Sequence, residues 1–142
     1  MNRIDRQFKS LKLKKKKAFI AYITAGDPRL AVTAKLVPEL EKAGVDILEL
    51  GIPFSDPLAD GPTIQAAAHR ALEGGVRLSK IFRMVGSVRK KTDMPIVFMT
   101  YYNPVFRYGV KKFIDDCCRY GVDGVIVPDL PCEEAGALVK HA

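Results

Sequence analysis

Glu49 stands in an otherwise apolar stretch, Asp46-Ile47-Leu48-Glu49-Leu50-Gly51-Ile52. A carboxylate in the middle of such a stretch is costly to bury unless it is hydrogen-bonded or protonated. In the protonated form it serves as a general acid near neutral pH. Two plainer readings compete: a glutamate paired with a buried base, or a strand face turned to solvent. The segment that follows, Pro53-Phe54-Ser55-Asp56-Pro57-Leu58-Ala59-Asp60-Gly61-Pro62-Thr63, adds two aspartates and three prolines. A stiffened loop at the carboxyl end of a strand is where α/β enzymes build their sites. Asp60 has two readings of its own. It is an N-cap for the helix that Pro62 begins, or a carboxylate projecting into a pocket with Glu49. Two carboxylates in different surroundings can divide acid and base duties between them.

The rest of the composition limits the alternatives. The chain has 142 residues, enough for one domain with a real core, and its 48% apolar and 27% charged residues are a globular balance. The net charge of +7 is confined to residues 1–17, where eight Lys and Arg face Asp5 alone. No base-reading motif or interleaved aromatic accompanies those lysines, which favours a solvated helix over a nucleic-acid arm. No apolar run is long enough to cross a bilayer. A soluble, cytoplasmic protein is the expectation. Cys117, Cys118 and Cys132 lack Cys-x-x-Cys spacing, and His69 and His141 are isolated, so no metal site is expected.

The elements that must hold Glu49 and Asp60 follow from periodicity and punctuation. Residues 2–13 read as an amphipathic helix with Asn2 as its cap and Asp5 in its first turn. Residues 18–24 read as a strand. Gly26-Asp27-Pro28 supplies a turn, an N-cap and a first helical proline for a helix over 28–43. Leu30, Leu36, Val37 and Leu40 face inward there, and Pro38 predicts a kink or break. A strand over 46–51 leads into the proline-rich loop, then a helix from Pro62 or Thr63 to the Gly74-Gly75 stop. Ser79 caps a helix reaching about residue 91, with Ile81, Val85 and Val88 on one face. A strand over 95–100, a helix over 110–120 stopped by Gly121, and a strand over 123–127 follow. Pro131-Cys132-Glu133-Glu134 opens a last helix. Near-continuous apolar strands alternating with helices demand a parallel sheet covered by helices. Gly44-Val45-Asp46 before the second strand is echoed by Gly121-Val122-Asp123 before the fourth. Repeated βα units of this kind suit half of an eight-fold barrel or a doubly wound sheet. No Gly-x-Gly-x-x-Gly follows any strand, which weakens a dinucleotide site.

Four ordered segments decide the matter by resemblance. ELGIPFSDPLADGPTIQ (49–65), AFIAYITAGDP (18–28), MTYYNPVFRYG (99–109) and VIVPDLP (125–131) resemble the signatures of the tryptophan synthase alpha subunit family. The resemblance implies a (β/α)8 barrel, here a single domain over 1–142 comprising an N-terminal helix and about four βα units, half of a barrel of roughly 250 residues. It implies a lyase that cleaves indole-3-glycerol phosphate to indole and glyceraldehyde 3-phosphate in tryptophan biosynthesis, without a cofactor of its own. Pyridoxal phosphate belongs to the beta subunit, the expected partner in an alpha2-beta2 assembly.

By the same resemblance Glu49 and Asp60 match the catalytic carboxylates. Tyr101 matches a tyrosine at the edge of the site, and Tyr22 falls where many members place a phenylalanine against the indole. Asp56 and Asn103 lie on loops that face the beta subunit in the family, and as residues beside prolines they read equally well as turn formers. The family's phosphate-binding segments and closing loop have no counterpart in these residues. The 142 residues alone are therefore expected to be inactive and, with open strand edges, to self-associate. An inactive scaffold built from such a half barrel is the competing reading.

Overall fold

The computed structural model describes residues 2–142. Helix α1 (Arg3–Leu13) opens with a reciprocal cap: the Asn2 side chain accepts the Asp5 N–H at 2.8 Å, and the Asp5 carboxylate accepts the Asn2 N–H. Four parallel strands follow, β1 (Ile20–Thr24), β2 (Ile47–Gly51), β3 (Ile96–Met99) and β4 (Gly124–Ile126), hydrogen-bonded in the order in which the chain makes them. The crossovers carry helices α2 (Leu30–Lys42), α3 (Pro62–Glu73), α4 (Leu78–Val88), α5 (Tyr102–Tyr108) and α6 (Val110–Tyr120). A 3-10 turn (Cys132–Glu134) and the short α7 (Gly136–Val139) follow β4.

Strand register sorts the side chains into two faces. One face carries Leu48, Leu50, Ile96 and Phe98, all fully buried beneath the helices. Phe82 of α4 is the hub of that core, with Phe98, Phe113, Tyr108 and Tyr120 rings at 5.4–5.7 Å. Burying a phenylalanine of this kind stabilises by about 1.5–3 kcal/mol. The opposite face is paired across the sheet as Tyr22–Glu49–Val97–Gly124, with Thr24–Gly51–Met99–Ile126 one step nearer the carboxyl ends. Helix α1 reaches this second face at Gly124, where a Cβ would lie 3.3 Å from Ile4 Cδ1, while Ile126, nearer the carboxyl ends, is 41% exposed on it.

Several local expectations are corrected. Helix α2 begins at Leu30, after an extended Arg29, so Pro28 lies outside it and Asp27 does not cap it. The Asp27 carboxylate instead takes the Arg70 guanidinium through two bonds of 2.8 Å. Pro38 lies inside α2 without ending it, and Thr33 rather than Leu36 joins Val37 on the buried face. Helix α4 begins at Leu78 after an extended Arg77 that makes no side-chain cap, so Ser79 lies inside its first turn, and the helix stops at Val88. Its Ile81, Val85 and Val88 are buried as the periodicity predicts. Helix α5 was hidden by Asn103-Pro104, which read as a loop; proline is tolerated in the first turn, where its missing N–H has no partner to lose.

Candidate active site at the carboxyl ends of the strands

Glu49 is the one partly exposed member of β2, whose other four residues are buried. Of the readings open for Glu49, the structure favours the strand face turned outward: the register turns Glu49 to the open face, while Leu48 and Leu50 go to the core. Directly across the ladder stands Tyr22. Its phenol leans over Gly51, and a Cβ at that position would lie 2.0 Å from the Tyr22 hydroxyl oxygen. Gly51 is thus the notch that lets the tyrosine lie along the face. Burial raises the Tyr22 pKa, and the charges of Asp60 and Glu49 push the same way.

Asp60 is not a helix cap. Gly61 is the extended residue before α3, and Pro62 takes the first helical position. The Asp60 backbone is fixed from both sides: its N–H donates to the Pro57 carbonyl at 3.1 Å, and its carbonyl accepts the Gln65 side-chain amide at 2.8 Å. Tyr101, only 4% exposed, is the link to β3. Its phenolic oxygen accepts the Ala59 N–H at 2.9 Å, and its ring packs on Phe54 at 5.6 Å. Burial raises the Tyr101 pKa, and Asp60 adds to the rise through its charge and a hydrogen bond. Tyr22 thus stands beside Glu49 on the ladder, and Tyr101 holds the loop that carries Asp60.

Asp56 and Asn103 stand apart from this group. Asp56 is exposed on the loop, where its carbonyl accepts the Leu58 N–H. Asn103 is exposed too, but it sits in the first turn of α5 and not on a loop. Three further residues of the site were not singled out in the sequence: Gln65, Phe54 and Asp129, which accepts the Tyr102 N–H at 2.9 Å. All three lie within the segments that carry the resemblance, but only the folded contacts show what they hold.

The arrangement offers two carboxylates and two phenols around an open concave face. A recess of about 300 Å³ beside Tyr22 runs between β1, α2 and α3, lined by Thr24, Asp27, Thr33 and Thr63. A second recess, of about 560 Å³, lies between Phe54, Pro57, Gln65 and His69 and includes neither Glu49 nor Asp60. Among the described residues no three His, Cys, Asp or Glu side chains gather as metal ligands, and no helix is long and apolar enough to cross a membrane.

A family model described as tryptophan synthase alpha chain matches residues 8–142. The tryptophan synthase alpha chain of Caldanaerobacter subterraneus subsp. tengcongensis is 58% identical over 134 residues, covering 94% of this chain and 51% of that one. That of Geotalea daltonii is 57% identical over 136 residues, covering 96% and 52%. Among solved structures, tryptophan synthase subunit alpha from Legionella pneumophila superposes with a TM-score of 0.95 at 44% identity, over 99% of this chain and 56% of that chain. A chain of the tryptophan synthase complex from Pyrococcus furiosus superposes with a TM-score of 0.83, also at 44% identity, over 88% and 52%. The chain spans about half the length of the curated relatives it matches.

Proposed function

Since the chain belongs to the tryptophan synthase alpha chain family, with the four strands forming half of its (β/α)8 barrel, we propose that the whole protein cleaves indole-3-glycerol phosphate to indole and glyceraldehyde 3-phosphate. Glu49 and Asp60 are the reacting carboxylates in this reading. The observation that carries it is the pairing of Tyr22 with Glu49 on the ladder, beside the loop whose Ala59–Asp60 segment Tyr101 holds at the carboxyl ends of the strands.

The reaction breaks the bond between indole C3 and the first carbon of the glycerol chain. Glu49 gives its proton to C3. The ring nitrogen then carries positive charge, and Asp60 accepts a hydrogen bond from the ring N–H and stabilises that charge. The hydroxyl on the first glycerol carbon loses its proton to the Glu49 carboxylate and becomes the aldehyde carbonyl. The electron pair of the broken bond returns to the ring and restores indole. One carboxyl thus serves as acid and then as base, and the proton count closes. Tyr22, across the ladder from Glu49, supplies an aromatic wall for the indole. No step needs a cofactor held by this chain; pyridoxal phosphate belongs to the beta subunit.

The partner reading is a beta subunit, in an alpha2-beta2 assembly in the cytoplasm, docking on the face that presents Asp56 and Asn103. The exposure of both side chains supports it. So does the similar chain from Pyrococcus furiosus, which is part of a tryptophan synthase complex. The test of the activity is product analysis of the whole protein incubated with indole-3-glycerol phosphate. Indole and glyceraldehyde 3-phosphate in equal amounts support the reading, and consumption of substrate without indole overturns it.

A further inference from the structure

We infer that Tyr101 and Gln65 are positioning residues, a two-sided clamp on the Ala59–Asp60 backbone that aims the Asp60 carboxylate. The inference rests on the reading of Asp60 as the group that meets the indole N–H.

The loop that carries Asp60 has little burial to hold it. Ser55, Asp56, Leu58 and Ala59 are exposed, Leu58 by 85%. Hydrogen bonds must therefore set its course, and two of them come from side chains outside the loop. On one side of Asp60, the Tyr101 oxygen accepts the Ala59 N–H at 2.9 Å. On the other, the Gln65 amide donates to the Asp60 carbonyl at 2.8 Å. A buried tyrosine needs some partner for its hydroxyl. A glutamine exposed on a helix needs none, because water satisfies it. That Gln65 turns back to the carbonyl of Asp60, and that Tyr101 takes the adjoining N–H, brings both contacts onto one catalytic residue. Tyr101 also holds the start of the loop through Phe54, at 5.6 Å between ring centres. Only Thr100 separates it from β3, so the loop after β2 is tied to the end of the next strand. Small displacements of a catalytic group are expensive in rate, and a flexible loop reaches the required precision only with such supports.

The test uses a pair of ligands for the whole protein: an indole carrying a phosphorylated propyl chain, and its benzofuran isostere, in which a ring oxygen replaces the N–H. The ratio of their dissociation constants reads the Asp60 hydrogen bond alone. The unaltered protein is expected to prefer the N–H ligand by about tenfold, the size of a hydrogen bond to a charged group. Asp60→Ala abolishes that preference. Tyr101→Phe and Gln65→Leu each reduce it by about threefold or more, with the benzofuran affinity nearly unchanged. A preference that survives both clamp substitutions but not Asp60→Ala overturns the clamp and leaves the role of Asp60 standing. A preference that survives Asp60→Ala overturns both. Gln65→Leu, at an exposed position, keeps the test open if Tyr101→Phe does not fold. In the whole protein, amide exchange at Ala59 is expected to speed up by about tenfold in Tyr101→Phe through loss of its acceptor, and an unchanged rate counts against the clamp.

Discussion

Asp46 and Asp123 do the same work one strand pair apart. Asp46 precedes β2; its carboxylate accepts the Phe19 N–H at 2.8 Å, and its own N–H donates to the Phe19 carbonyl. Asp123 precedes β4; its carboxylate accepts the Ile96 N–H at 2.9 Å, and its own N–H donates to the Ile96 carbonyl. Each aspartate thus locks the start of its strand onto the start of the strand before. Helix α1 fastens both locks, with the Gln7 amide on Asp46 at 2.7 Å and the Arg3 guanidinium on Asp123 at 3.0 Å. The register of the sheet, and with it the pairing of Tyr22 with Glu49, is set at the end opposite the site.

The Asp123 lock is the more demanding because Arg89 is buried with it. The guanidinium pairs with Asp123 and donates to the Gly121 and Met94 carbonyls, and burial holds its pKa below the ordinary value. Removing one partner strands the other charge. Asp123→Ala is expected to destabilise the chain by about 3–5 kcal/mol in urea unfolding. Asp46→Ala, which leaves no buried charge behind, is expected to cost about 1–3 kcal/mol. Equal costs for the two would contradict this account of the lock.

Gly51→Ala tests the notch under Tyr22. The added methyl would lie 2.0 Å from the phenol oxygen and 2.5 Å from the ring carbon that bears it, so the ring must turn away. A loss of about 1–3 kcal/mol is expected, and the Tyr22→Ala background, which clears the space, should remove most of it. A loss that persists undiminished in that background would point to backbone strain at Gly51 instead.

Tyr108 supplies a pH dependence on the alkaline side. Burial, and then a hydrogen bond to Asp116, raises its pKa to about 12. The folded pKa lies above the unfolded one, so the stabilisation is complete below about pH 10 and is lost as pH rises toward 12. Denaturation midpoints should fall across that window, and Tyr108→Phe should flatten the fall. An identical slope in the variant would assign it to other groups.

Strands β1 and β4 have a neighbour on one side only, and Ile20 and Ile126 are exposed there at 44% and 41%. The 142 residues by themselves are expected to associate through these edges. Light scattering with size exclusion should give a mass above 15.7 kDa that rises with concentration. A constant monomer mass at high concentration would contradict the expectation.

Much of this was legible in the chain. The glycine-valine-aspartate echo marked the strand starts, and the apolar run around Glu49 marked the strand that carries it. The sequence did not reveal which way Glu49 faces, since a two-residue period places a side chain on one face without saying which face the helices cover. The partners of Asp60 escaped because Tyr101 is distant in sequence and Gln65 looked like an ordinary helix residue. Asp27 was misread for the same reason: its partner Arg70 is brought close only by the packing of α3 near the end of β1.

The most direct measurement is indole release from indole-3-glycerol phosphate at saturating substrate, by the whole protein and by Glu49→Gln. Glutamine keeps the shape of the side chain and removes the proton that C3 must receive. A fall in kcat of about a thousandfold is predicted, with unfolding stability unchanged. Release at close to the unaltered rate would contradict the assignment of Glu49 as the acid and base of the reaction.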